Sequence, residues 1–335
     1  MKILVTGGAG YIGSHTCVEL IQAGYEVVVV DNLCNSSIKA LKRIENLYKC
    51  KIPFYEEDVR NQMAIKNIFN EHNFDGVIHF AGLKSVGSSV SMPIEYYSSN
   101  IIGALTILDI MKEQNCRTFV FSSSATVYGN PHKVPIKENF PLSATNPYGR
   151  SKLMIEDFLR DIFISDNSWS VGILRYFNPV GAHKSGLIGE SPNDTPNNLM
   201  PYISQVAIGR LEKLSVYGGD YNTPDGTGIR DYIHVVDLAK GHVKAMQVLK
   251  NKSQLLTVNL GSGRGYSVLE VIKAYEKASG RRVPYEIVSR RAGDIASCYA
   301  DPGYASKTLG WVSKFNLKDM CEDSWRWQSL NPNGY

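Results

Sequence analysis

Apolar residues along this chain of 335 residues fall into two alternating rhythms. Short β-branched runs, KILVT at 2–6, EVVVVD at 26–31, GVIHF at 76–80, TFVFSS at 118–123 and VGILRY at 171–176, read as strands. Between them lie stretches with helical spacing, among them YIGSHTCVELIQAG and YYSSNIIGALTILDIMKEQN. Strands alternating with helices make parallel βαβ units, which predicts an α/β fold with a doubly wound parallel sheet. Near residue 180 the rhythm breaks. The chain to about 235 is rich in Pro, Gly and Asn (HKSGLIGESPNDTPNN, GGDYNTPDGTG), the composition of loops that build a ligand pocket.

Composition narrows the reading. With 43% hydrophobic and 20% charged residues the chain is ordinary globular material with ample core. Its net charge of +4 carries no long basic run, so neither nucleic acid nor a membrane surface is expected as a partner. The six cysteines, including Cys34 and Cys298, form no CxxC pair, which argues against a zinc site or a disulfide framework and for a reducing, cytoplasmic setting.

The stretch TGGAGYIG follows the first predicted strand and opens a helix, with Gly7, Gly10 and Gly13 spaced three apart and Gly8 completing a second overlapping pattern. Glycines there let the backbone approach a diphosphate, whose charge then meets the free N–H groups of the helix start. Asp31 ends the second strand, where a carboxylate accepts from ribose hydroxyls and repels a 2′-phosphate. The expected cofactor is therefore NAD, on a Rossmann-like sheet. Asp58, after a further strand, is placed to meet the adenine.

A second motif lies in NPYGRSK at 146–152. Tyr148 and Lys152 are four apart on one helix face, with Pro147 at the helix start. An ammonium about 4 Å from the phenol favours the phenolate by roughly 4 kcal/mol at most, enough to bring a group that ionises near pH ~10 towards working pH.

With the glycine loop, SSSATVYG (122–129) and YGRSK (148–152), the chain resembles the extended short-chain dehydrogenase/reductase family. DNLCNS (31–36), HFAGLKSVG (79–87), RYFNPVGAH (175–183), PNNLMPYI (196–203) and DGTGIRDYIHV (225–235) are similar to its UDP-galactose 4-epimerase group over nearly the whole length. The resemblance implies that Tyr148 exchanges a proton with the sugar 4-hydroxyl, that Lys152 lowers its pKa and that Ser124 bonds the same oxygen. It implies an NAD site formed by Tyr11, Ile12, Asn32, Leu33, Cys34, Asn35, Ser36 and Val59 near the glycine loop. Phe80, Ala81, Gly82, Lys84, Ser122, Tyr176 and Phe177 complete that site. It further implies that a UDP-sugar meets Lys84, Asn178, Asn198, Leu199, Ser215, Val216 and Tyr217, then Arg230, Tyr232, Arg291, Asp294 and Cys298. The expected division is an NAD-binding domain over 1–178, to which a segment near 235–260 returns, and a smaller mixed α/β UDP-sugar lobe over 179–335.

The expected activity is interconversion of UDP-glucose and UDP-galactose through a transient 4-keto sugar in a homodimer. A small Cys298, where plain-hexose members carry tyrosine, extends this to UDP-GlcNAc and UDP-GalNAc; the alternative is an enzyme confined to non-acetylated hexoses. In SSN (98–100), Asn100 rather than Ser99 is taken as the family's cofactor asparagine. A 4,6-dehydratase is disfavoured because Ala125 and Thr126 stand where it would carry Asp-Glu. A non-catalytic NAD-binding regulatory protein is disfavoured because Ser124, Tyr148 and Lys152 are all kept.

Overall fold

The computed structural model describes residues 1–193, 196–291 and 293–335. Its strands are β1 (Lys2–Thr6), β2 (Glu26–Val30), β3 (Phe54–Tyr55), β4 (Gly76–His79), β5 (Thr118–Ser124) and β6 (Ser170–Tyr176). After these come β7 (Asn178–Val180), β8 (Leu214–Tyr217), β9 (Ile229–His234), β10 (Leu255–Leu260), β11 (Gly265–Ser267), β12 (Tyr285–Val288) and β13 (Ser297–Cys298). Seven of them form one parallel sheet in the order β10-β6-β5-β4-β1-β2-β3. This is the doubly wound sheet that the alternating pattern predicts.

Parallel strands covered by helices on both faces must be apolar on both faces, which is why these runs hardly alternate. On one side Cys17 and Leu20 of the helix Tyr11–Gln22 and Met246 of the helix Val235–Asn251 pack on Ile3, Val5 and Val29. On the other, Ile107 and Met111 of Gly103–Glu113 and Ile155 and Leu159 of Pro147–Ser165 pack on Leu4, Val28 and Phe119. The chain reverses direction across the sheet between β1 and β4, and doubly wound folds open their ligand crevice at such a point, at the carboxyl ends of the strands.

The region 93–114 reads as one helix by its spacing. In the structure it is Pro93–Tyr97, a π-helical turn at Ser98–Ile102, then Gly103–Glu113. The wide turn leaves Asn100 fully buried, and such interruptions commonly serve a site.

The second lobe is smaller. β9 pairs with β7, β11 and β13, and β8 pairs with β12. Its core contains Val180, Ile203, Val216, Tyr232, Ile272 and Tyr275. Val127, Tyr128, Ile136, Phe177 and Ala300 form a further cluster, against which Cys298 packs. Among the described residues no helix is long and apolar enough to cross a membrane, and no group of His, Cys, Asp and Glu is arranged to hold a metal ion.

Candidate active site

The carboxyl ends of β1, β2, β4, β5 and β6 converge on one crevice. At β1, Gly7 adopts φ +69°, and a Cβ there would lie 2.7 Å from the Ala81 amide nitrogen. A Cβ on Gly13 would lie 2.2 Å from the Gly7 carbonyl oxygen, so helix and loop approach as only glycine permits. Gly10 caps the helix Tyr11–Gln22 without a side-chain bond, and the first-turn amides of Tyr11 and Ile12 have no carbonyl one turn back to meet. A flat glycine cradle with free donors fits a diphosphate.

Asp31 is buried and tied to this loop. Its Oδ2 accepts from the Ala9 amide at 3.0 Å, and its Oδ1 accepts from the Leu33 amide at 2.9 Å and the Ser36 hydroxyl at 2.8 Å. The turn holding it uses a left-handed Leu33 and leaves Asn32, Cys34 and Asn35 exposed. Asp58 is more occupied than its position suggests. Arg60 grips it through Nε and a terminal nitrogen at 2.9 and 2.7 Å, Asn32 adds a bond at 3.3 Å, and the carboxyl is held down at about 2 mainly by Arg60. Its first role is to brace the loop.

After β4, Gly82 stands at φ 151° with Asn100 Oδ1 where a Cβ would go. Asn100 Oδ1 accepts from the Leu83 amide at 2.8 Å, and its Nδ2 donates to the Leu83 carbonyl at 3.1 Å and Ser151 Oγ at 2.9 Å. It therefore fastens the 80–84 loop to the Tyr148 helix.

Asn146 caps that helix by accepting from the Gly149 amide at 2.9 Å, with Pro147 in the first position. This puts Tyr148 in the first turn and Lys152 one turn below. The Ser124 hydroxyl at the end of β5 faces the phenol and accepts from the Thr126 amide and hydroxyl at 3.2 and 3.0 Å. Lys152 is buried, donates to the Ser122 carbonyl at 2.8 Å and lies 5.8 Å from the Tyr148 ring centre.

The ionisation balance corrects the expectation from spacing. Burial pushes the Tyr148 phenol up to about 12, against a lowering contribution from Ser124, and burial brings Lys152 down to about 8. The ammonium's attraction for the phenolate acts against this burial. In the protein alone, burial outweighs it.

For several expected residues the side chain lies elsewhere. Val59 is buried against Gly103. The Phe80 ring packs on His242 at 4.8 Å, and the Tyr176 hydroxyl is bonded to the same imidazole. Val216 and Tyr232 belong to the second-lobe core. Strand alternation turns the side chains of Tyr176, Val216 and Tyr232 inward, and loop packing does the same for Val59 and Phe80. Phe177 is buried in the cluster shared with Cys298.

In the second lobe, Asp294 gathers two arginines: Arg291 Nε donates to it at 3.0 Å and Arg230 approaches it to 3.9 Å. The Arg291 guanidinium lies 4.6 Å over the Tyr217 ring, with Ser215 beside it on β8. Arg230 is fixed by the Ile229 and Ile295 carbonyls and sits in register with Cys298. Asn178 and Asn198 are exposed, and Asn198 precedes the helix Leu199–Ala207.

Sequence reasoning missed Glu190. Its Oε1 accepts from Lys84 and from Asn198, each at 3.3 Å, and so joins the 80–84 loop to the second lobe. The stretch around it is pinned to the first lobe by Tyr11 to the Gly181 carbonyl at 2.7 Å, Arg43 to the Leu187 carbonyl at 2.9 Å and Asn193 to the Cys34 carbonyl at 3.4 Å. No local pattern marks a contact made across the chain.

Comparisons with known proteins give the family. The family model described as GDP-mannose 4,6 dehydratase matches residues 4–324. The UDP-glucose 4-epimerase of Dictyostelium discoideum is 60% identical over 335 residues, covering 100% of this chain and 97% of that protein. That of Bacillus subtilis is 59% identical, covering 100% and 99%. The crystal structure of UDP-glucose 4-epimerase from Bifidobacterium longum in complex with NAD+ and UDP superposes with a TM-score of 0.97 at 54% identity, covering 100% of both chains. The UDP-Glc/GlcNAc 4-epimerase of Campylobacter jejuni gives 0.86 at 36% identity, covering 98% of this chain and 99% of that one. A glycine cradle, a facing Ser-Tyr-Lys set and full-length identity of this order have one reading: the chain belongs to the GDP-mannose 4,6-dehydratase family and, within it, to the UDP-glucose 4-epimerases.

Proposed function

We propose that this chain interconverts UDP-glucose and UDP-galactose, keeping NAD bound between turnovers. The observation that carries the reading is the placement of Ser124 at the end of β5 with Tyr148 and Lys152 on the first turns of the adjoining helix, at the same edge of the sheet as the glycine cradle. The chain divides at about residue 178 into an NAD-binding lobe and a UDP-sugar lobe, with β10 returning to the first.

NAD, held by the glycine cradle and Asp31, would supply a reversible hydride acceptor for the sugar carbon. The protein does the rest. Tyr148 removes the 4-hydroxyl proton, Ser124 donates to that oxygen, and Lys152, held by the Ser122 carbonyl, places its nitrogen beside the phenol ring. Arg230 and Arg291 grip the diphosphate, Tyr217 and Arg291 flank the base, and Asn178 and Asn198 bond the sugar and phosphates. With the nucleotide end held, the sugar ring would be free to turn over in the site, and Tyr148 would return the proton to the same oxygen. Incubation with UDP-galactose and separation of the 4-epimers tests this directly. UDP-glucose is expected without added NAD, and its absence would remove the reading.

The same site accepts N-acetylated sugars. Cys298 is half-buried between Arg230 and the cluster behind Ser124, and burial pushes its thiol up to about 11, so it acts as space rather than as a nucleophile.

Two further outcomes follow from the cofactor cradle. Gly13→Ala should yield protein with little bound NAD, since its Cβ would collide with the Gly7 carbonyl; NAD released on denaturation measures this. Asp31→Ala should lower retention by about tenfold or more, as expected on losing charge-assisted hydrogen bonds worth roughly 1.5–3 kcal/mol, and full occupancy in that variant would misplace the ribose contact.

The chain works as a homodimer. Ile94, Ile102, Leu105 and Met154 are 78%, 49%, 44% and 47% exposed on the 93–114 region and the adjoining Tyr148 helix, apolar side chains that a second copy would cover. Light scattering should give twice the chain mass, and Ile94→Asp with Met154→Asp should give the monomer.

A further inference from the structure

Tyr148, Lys152 and Glu156 follow one another at four-residue intervals down a single face of the Pro147–Ser165 helix. The last three residues of β5 meet that face in turn. Ser124 stands near the phenol and favours its ionisation. The Ser122 carbonyl accepts from Lys152 at 2.8 Å, and the Ser123 hydroxyl donates to Glu156 Oε1 at 2.5 Å. Strand and helix are thus docked through three consecutive strand residues and three consecutive helical turns.

The third contact is the most heavily built. Glu156 is fully buried, and Arg175 clamps it with Nε at 2.9 Å to Oε1 and a terminal nitrogen at 2.6 Å to Oε2. Arg160 adds a bond at 2.6 Å. Arg175 lies on β6 directly beside Ser123 in the sheet register, so one carboxylate ties the helix to two neighbouring strands. Its other terminal nitrogen donates to the Tyr128 hydroxyl at 2.8 Å and the Glu138 carbonyl at 3.0 Å, which extends the tie to the turn that follows Ser124. A buried ion pair returns little net stability once desolvation is counted, whereas it penalises every arrangement that separates its charges. Sliding this helix by one residue would move its side chains by about 1.5 Å along the axis and about 100° around it, and would strand Glu156.

We propose that Glu156, acting through Ser123 and Arg175, is a positioning residue that sets the register of Tyr148 and Lys152 against Ser124 and the Ser122 carbonyl. The inference rests on the proton-exchange role proposed for Tyr148. Loosening the tie lets Ser124 withdraw from the phenol, and because its hydroxyl favours the phenolate, withdrawal raises the pH at which Tyr148 gives up its proton. The other titratable groups near the phenol are Lys152 on its own helix, Tyr96 from the helix Pro93–Tyr97 and Tyr176 on β6, whose hydroxyl is turned to His242, and the variants below leave all three in place.

Ser123→Ala is the clean test, because it cuts the strand contact and leaves Glu156 with both arginines. In the holoenzyme, kcat should fall about tenfold, the scale of a sub-ångström misplacement of reacting groups. KM for UDP-galactose and NAD content should stay unchanged, and the acidic limb of the kcat profile should move up by about one pH unit. Ser123→Thr, which keeps the hydroxyl, should restore both. A lowered melting temperature with kcat and pH profile unchanged in the folded enzyme would show a purely structural tie and overturn the proposal. Ultraviolet titration of the Tyr148 phenol, with Tyr148→Phe subtracted, reads the same register without substrate. An unchanged ionisation in Ser123→Ala overturns the proposal even if wild type proves inactive on UDP-sugars, which would refute the functional reading instead.

Discussion

Tyr148→Phe should leave the fold and the bound NAD intact and lower kcat by about 10²-fold or more, the scale of losing a positioned acid–base group. The ring is half-buried at the head of its helix, and phenylalanine fills the same volume without leaving a buried charge or a large cavity. What disappears is the oxygen that faces Ser124. Neither Ser124, whose hydroxyl already accepts two bonds from Thr126, nor Lys152, which donates to the Ser122 carbonyl, is disposed to take its place. The check is kcat on protein with matched NAD content and melting temperature. Turnover within a few-fold of wild type would remove Tyr148 from the chemistry.

The second large effect is on substrate range. Cys298→Tyr should abolish turnover of UDP-GlcNAc and UDP-GalNAc and spare UDP-glucose and UDP-galactose. Cys298 is held in register with Arg230 by β13, and one side of it is filled by the cluster of Val127, Ile136, Phe177 and Ala300. A phenol ring at this position has no room in that packed cluster and turns into the crevice, where it collides with an acetamido group and clears a hydroxyl. Product separation with each of the four sugars measures this. Equal handling of both pairs by the variant would place the gate elsewhere.

The parts of the fold legible in the sequence were those set by local pattern. The runs that form β1, β2, β4, β5 and β6 are apolar on both faces because both faces are covered, so their limits agree with the structure to about one residue. The glycine loop was legible because its backbone demands are absolute. Pairing across the chain was not: the π-helical turn that buries Asn100, and Glu190 between Lys84 and Asn198, depend on contacts between segments far apart in sequence. The spacing of Tyr148 and Lys152 gave their shared face but overstated the ammonium's hold on the phenol, because spacing carries no information about desolvation. At positions such as Val59, Tyr176 and Tyr232 packing, which no local pattern shows, turned the side chains into the core.

The central claim is that hydrogen leaves and returns to the same sugar carbon inside a closed site, with Tyr148 exchanging only the hydroxyl proton. UDP-glucose carrying deuterium at C4 tests it most directly. Converted in ordinary water with excess free NAD present, it should give UDP-galactose that retains the full label at C4, with no deuterium in the solvent or in the free cofactor. Loss of the label to water would show that the carbon exchanges its hydrogen as a proton, and would contradict the account.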